Sequence, residues 1–290
     1  MSGLHAVAAL RLPNDAIAVL FGAGERHTLA VWTWQQDSDA ATADLYVGVG
    51  ASAYELSGAP RPLEFDGPLA HVPLTAVPLI VTGVDAPLLL LQDSFQIAPT
   101  FIQSHDLAAA PVLSLHNPYA VALSGTIELQ ASSGWEVTPN PVHVDLAPGQ
   151  ILTQALAIRI PPRPIAGQRQ LEVDFRLSQP ERVALHFTVP LELGLQDLAL
   201  EASAWWDGDD LLVEQSLRNL SSVPVSFNAF CQPPEHAQLE GAFLDVPPGE
   251  VRMHTYRLPA ARALAGARLW MGIAEIGGHR ALDQLVSIPR

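Results

Sequence analysis

The sequence predicts an all-β protein made of three tandem β-sandwich domains. Three observations carry that prediction. The 290 residues include 25 prolines and 20 glycines, too many for long helices, because proline removes a helical donor and clashes with the preceding turn. Short runs rich in β-branched and aromatic residues recur along the chain, with Gly, Pro or Asp between them. Finally, a set of four markers repeats at an offset of about one hundred residues.

The runs come in order. Ile17–Phe21, Thr28–Trp34, Leu45–Val49, Leu79–Thr82 and Leu88–Leu91 read as strands. The most apolar window, 76–91, is broken by Pro78, Gly83, Asp85 and Pro87, which makes it two short strands and a turn and too short for a membrane span. The one helical candidate is a turn or two over Ala260–Ala267, stopped by Gly266.

One copy of the repeat reads Leu115-His116-Asn117-Pro118, Leu146-Ala147-Pro148-Gly149-Gln150, Ile160-Pro161, Ala166-Gly167. The other reads Leu217-Arg218-Asn219-Leu220, Val246-Pro247-Pro248-Gly249-Glu250, Leu258-Pro259, Ala265-Gly266. The Asn-to-Gly gaps are 32 and 30 residues and the Gly-to-Gly gaps 18 and 17. Asn ends a strand because its side chain bonds to nearby backbone and tolerates turn geometry. Pro-Gly sets a type II turn between strands. A unit near one hundred residues with about seven strands is Ig-like in size. The expected domains are 1–98, 99–193 and 194–290, with boundaries near Pro99 and Gly194.

Composition excludes several classes. Hydrophobic residues make up 49% and charged residues 16%, which rules out a disordered chain. The 15 basic residues, all arginine, face 30 acids, for a net charge of −15. Binding to nucleic acid or anionic lipid needs a basic footprint, and this balance is the reverse. No signal peptide or transmembrane segment is legible. Cys231 is the single cysteine, so no intrachain disulfide forms, and Phe230-Cys231-Gln232 reads as a small buried hydrophobe.

The stretch Gly134-Trp135-Glu136-Val137-Thr138-Pro139, followed by the Pro148-Gly149 turn and the Ile160-Pro161-Pro162 strand end, resembles the Ig-like domain associated with alpha-galactosidases. The 194–290 unit carries a weaker version with Gln232-Pro233-Pro234 where the Gly-Trp would fall. Ile17–Phe21, Thr28–Trp32, Tyr54–Gly58 and Pro78–Gly83 resemble the small β-sandwich that follows the TIM barrel of several glycoside hydrolases. The resemblance implies a carboxy-terminal accessory region whose partner is a glycan or a glycoside hydrolase catalytic domain.

Catalytic motifs are missing. The sequence has no His-Glu-x-x-His, Cys-x-x-Cys, Gly-x-Ser-x-Gly or phosphate loop, so no catalytic residue is assigned. Among thirty acids, Glu275 draws notice because it follows an apolar strand, and it reads as an exposed strand-end carboxylate. The candidates for carbohydrate contact are tryptophans. Trp32 and Trp34 are two apart and share a strand face, a possible aromatic platform for a sugar or a packing surface for a neighbouring domain. Trp205 and Trp206 are adjacent and point to opposite faces, one toward a core and one outward. Asp207-Gly208 marks a hairpin, and Asp207, Asp209 and Asp210 are weak candidates for calcium.

The expected function is therefore non-catalytic: an accessory or carbohydrate-binding region of a glycoside hydrolase-like assembly. The alternative is an Ig-like protein–protein interaction module without sugar affinity, which a flat apolar patch on the first unit would favour. The third reading is a glycoside hydrolase using two facing carboxylates, which would require a cleft.

Overall fold

A computed structural model describes residues 3–12, 15–35, 41–104, 108–131, 134–161 and 163–290. Pro162 of the strand-end motif lies outside them. The described residues are mostly β-strand, with one α-helix, as the proline and glycine content dictates.

The first unit contains β1 (His5–Leu12), β2 (Ala16–Ala23), β3 (Arg26–Thr33), β4 (Thr42–Tyr46), β5 (Ser52–Tyr54), β6 (Pro60–Arg61), β7 (Glu64–Asp66), β8 (Leu69–Pro73) and β9 (Leu79–Thr82). A six-stranded sheet, β1-β2-β3-β9-β5-β6, faces a three-stranded sheet, β4-β8-β7. Leu20, Leu29, Val31 and Val81 from the first meet Leu45, Val47 and Val72 from the second in one core.

Helix α1 (Ala86–Ser94) follows, where the sequence suggested a strand over Leu88–Leu91. Two local features start it. The Asp85 carboxylate accepts from Leu88 N at 3.0 Å, and Pro87 sits in the first turn, where its missing N–H costs nothing. The consecutive leucines hid its period for a tertiary reason. Leu89 enters the first core, while Leu88 and Leu91 enter the next one, so the helix is apolar on two sides.

The middle unit contains β10 (Gln96–Ala98), β11 (Phe101–Gln103), β12 (Ala108–Ala109), β13 (Val112–His116), β14 (Leu123–Gln130), β15 (Glu136–Thr138), β16 (Val142–Leu146), β17 (Ile151–Ala155), β18 (Ala157–Arg159), β19 (Gly167–Gln179) and β20 (Ala184–Gly194). They form sheets β11-β20-β19-β14-β16, β10-β13-β17 and β12-β18-β15. Trp135 packs against this core. Tyr46 joins the first unit to it, donating its hydroxyl to the His186 carbonyl at 3.0 Å.

The last unit contains β21 (Leu198–Asp207), β22 (Asp210–Asn219), β23 (Val225–Gln232), β24 (Leu239–Val246), β25 (Val251–Leu258), β26 (Arg268–Glu275) and β27 (Ala281–Ser287), with a short 3-10 turn at Arg262–Leu264. Its sheets are β21-β22-β25 and β24-β23-β26-β27. Cys231 is fully buried there beside Met271, as a small hydrophobe.

The repeat has a physical basis. Asn117 and Asn219 are both fully buried. Asn117 Nδ2 donates to the carbonyls of Val121, Leu146 and Ala147, and Asn219 Nδ2 to those of Val223 and Val246. The Oδ1 atoms accept from Tyr119 N and Ser221 N, each at 2.9 Å. Each asparagine thus bolts the end of one strand to the strand preceding the Pro-Gly turn. Gly149 and Gly249 take positive φ in those turns, 72° and 79°.

A candidate interaction face on the first sheet

The second strand of the six-stranded sheet is apolar on both faces. β2 reads Ala-Ile-Ala-Val-Leu-Phe-Gly-Ala, without the polar alternation of a half-exposed strand. Its inward set, Ala16, Ala18 and Leu20, is buried in the first core. The outward set, Ile17, Val19 and Phe21, remains partly exposed and joins no core.

Pairing extends this outward set across the sheet. Ile17 lies opposite Arg11 and Trp32, and Val19 opposite Ala9 and Ala30. Ala30 pairs with Ile80, and Ile80 with Tyr54. The paired strands present Ala9, Ile17, Val19, Phe21, Trp32, Ile80 and Tyr54 on one side, with no carboxylate among them; Arg11, Thr28, Thr82 and Ser52 share that side toward its ends. Trp34, just beyond β3, is 69% exposed at the end of this face. Apolar side chains line up across five strands in the row Ala9, Val19, Ala30, Ile80 and Tyr54.

Trp32 and Trp34 do share a side, as their spacing requires. Their rings stand 6.3 Å apart at 87°, edge to face. Two rings at right angles offer no common plane on which a sugar could lie flat.

Trp205 and Trp206 also separate as alternation dictates. Trp205 is exposed on the outer side of β21. Trp206 packs on the neighbouring core, donates Nε1–H to the Pro289 carbonyl at 3.1 Å and carries the Arg262 guanidinium 4.5 Å over its ring. Trp206 is therefore a packing residue, and Trp205 is the outward member of the pair.

The three aspartates do not converge on a cation. Asp207 and Asp210 face each other across the hairpin, but Asp210 is held by Arg257 at 2.6 Å and by Ala260 N at 3.0 Å. Those contacts lower its carboxyl below the usual range. Asp209 turns to Arg262 at 3.5 Å. No cluster of three or more metal-ligating side chains occurs among the described residues. The calcium candidacy is corrected accordingly: Asp209 and Asp210 turn to different arginines and do not converge with Asp207 on one point.

Glu275 is not a free strand-end carboxylate either. It pairs with Arg280, which also pairs with Asp197, and its side chain is mostly buried. The bonds to Arg280 hold its carboxyl below the ordinary 4.5. An acid stabilised in its ionised form is a poor proton donor.

A cleft of about 530 Å³ lies between the first two units, lined in part by Asp44, Asp93, His186 and Pro190. The surrounding protein raises the Asp93 carboxyl, yet Asp93 and Asp44 both remain exposed to solvent. Asp44 is engaged by His71 Nδ1 at 2.7 Å. The paired, oppositely tuned carboxylates of a glycosidase are not built into this cleft.

One cluster around a buried acid escaped sequence reasoning. Asp283 on β27 is fully buried. Its Oδ2 accepts from Trp270 Nε1 at 3.0 Å, and its Oδ1 lies 3.5 Å from Arg163 Nη2. Arg163 also stacks 4.5 Å above Phe230. The segment after Arg163 runs beside β27, with Asp283 N donating to Pro164 O and Ala166 N to Asp283 O. The middle unit thereby lends a short parallel pairing, Ile165 with Asp283, to the last unit's sheet. Gly272, opposite Asp283, leaves the space: a Cβ there would lie 2.0 Å from Asp283 Oδ1. Sequence gives no sign of this, because Arg163 and Asp283 are 120 residues apart.

No protein-family model and no curated protein matches the sequence. Among solved structures, the YadV chaperone is similar at 10% identity and a TM-score of 0.28, covering 67% of this chain and 100% of that one. The E. coli chaperone DraB is similar at 13% identity and a TM-score of 0.26, covering 68% and 98%. E. coli alpha-2-macroglobulin is similar at 14% identity and a TM-score of 0.31, covering 80% of this chain and 20% of that one.

Proposed function

We propose that this protein is a non-catalytic protein–protein interaction module whose outward first-sheet face is covered by another protein surface. The observation that supports it is the doubly apolar second strand of that sheet. Ile17, Val19, Phe21, Trp32 and Ile80 form one acid-free surface in a chain of net charge −15. These side chains are already partly buried, so a covering partner gains about 25 cal/mol for each Å² of their remaining apolar surface. In the accessory role that the family resemblance implies, that partner would be a catalytic domain. The perpendicular Trp32 and Trp34 rings favour protein packing over sugar stacking.

The test compares tagged wild-type protein with Val19→Glu in an extract of the source organism. A stoichiometric protein captured by the first and lost by the second supports the proposal. Specific retention on a polysaccharide gel, abolished by Trp32→Ala/Trp34→Ala, would overturn it.

A further inference from the structure

We infer that the occupant of this face is a second copy of the same chain, packed sheet to sheet about a two-fold axis. The inference rests on the interaction reading above and names its partner.

Charge is the first support. The rim of the face carries Arg11 and Asp15 at one end of β2, and Glu25 and Arg26 at the other. All four are exposed. Each end thus holds one positive and one negative group, and the face as a whole is neutral. A two-fold axis lying between the sheets and across the strands sets each end against the opposite end of the other copy. Arg11 and Asp15 then lie over the end of the second copy that carries Glu25 and Arg26, where each finds one opposite charge. A two-fold contact needs this self-complementarity, because the same patch serves both sides.

Size is the second support. β1, β2 and β3 are eight residues each. At ~3.4 Å per residue and ~4.8 Å between strands, β1, β2 and β3 with the shorter β9 and β5 span roughly 500 Å² in projection. The relief of Trp32, Trp34 and Phe21 adds to that, toward the ~800 Å² that each partner contributes to a standard stable interface. Stacked sheets pack at ~10 Å with interdigitated side chains, which the partly exposed Ile17, Val19 and Ile80 supply.

Salt acts on two opposing terms: it screens the long-range repulsion between two bodies of net charge −15 and it screens the exposed rim pairs. The apolar contact is not screened, so the dimer persists at high ionic strength.

The experiment is sedimentation velocity on the purified full chain from about 1 to 100 μM, at low and at high salt. Wild type is expected at twice the 31.1 kDa chain mass at low and at high salt. Val19→Glu is expected at the monomer mass, with an unchanged far-UV spectrum. Should it fail to fold, Trp34→Glu, beyond the end of β3, carries the same test. Arg11→Glu/Arg26→Glu is expected to weaken self-association at least tenfold, and mixing it with Asp15→Arg/Glu25→Arg restores a heterodimer. A wild-type monomer throughout, or a dimer indifferent to Val19→Glu, overturns the inference. A dimer that ignores the arginine swap overturns the proposed two-fold arrangement. A monomer that still captures a different protein through Val19 ends this inference alone, whereas a monomer that captures nothing ends the interaction reading as well.

Discussion

Replacing Asn117 with alanine removes an amide that no solvent can substitute. The side chain is fully buried, its Nδ2 reaches three carbonyls at 2.9–3.1 Å, and its Oδ1 accepts from Tyr119 N at 2.9 Å. Two N–H groups shared among three carbonyls count as two bonds, and the Oδ1 contact makes three. At about 1 kcal/mol net for each bond, the loss is about 3 kcal/mol, and the stranded Leu146 carbonyl adds to it. Asn117→Asp is no remedy, because it turns an acceptor toward three acceptors. Asn219→Ala should cost a similar amount, since that side chain makes two donor bonds and accepts two. Guanidinium unfolding read at Trp135, the one tryptophan of the 99–193 unit, measures the first variant. Because several cores need not unfold together, hydrogen exchange across β13 and β16 localises the effect. A loss below about 1 kcal/mol, or loss of protection confined to the last unit, would refute the account of the repeat.

Four further outcomes follow from the packing. Gly272→Ala should lower stability by about 2–3 kcal/mol, seen as a thermal shift, because its Cβ meets Asp283 Oδ1 at 2.0 Å and Phe230 Cε1 at 2.4 Å. Burial raises the Asp283 carboxyl above its ordinary 3.8, so the folded state holds that proton more tightly than the unfolded chain. Its contribution is greatest below pH 3.8 and declines as pH rises through the folded value, and Asp283→Asn should remove that decline in a stability–pH series. Glu275 has the opposite sign: stability from its pair with Arg280 is present above pH 4.5 and lost as pH falls through the lowered value, a limb that Glu275→Gln should flatten. Burial pushes the Cys231 thiol up to about 12, so thiol reagents should label it at the rate of unfolding and no faster.

Local chemistry was legible wherever it acted over a few residues. The Pro-Gly turns, the Asp207-Gly208 hairpin and the strands at Ile17–Phe21 and Leu79–Thr82 all follow from φ preferences and side-chain shape. The strand expected over Leu88–Leu91 became α1 because its leucines serve two cores, a demand set from outside the segment. The three aspartates after Trp206 suggested a cation site only until Arg257 and Arg262 arrived from β25 and the turn after it.

What the amino-acid order determined by itself was the architecture: β-layers throughout, and the recurrence of asparagine and Pro-Gly at matched spacing. The tertiary structure alone decided which side of each strand met water. It sent Trp206 inward, left Trp205 and Trp34 outside, and gave Asn117 a partner 29 residues away. The reason is one of range: backbone torsion is fixed by neighbours in sequence, whereas desolvation and long hydrogen bonds depend on which distant strands the fold brings alongside.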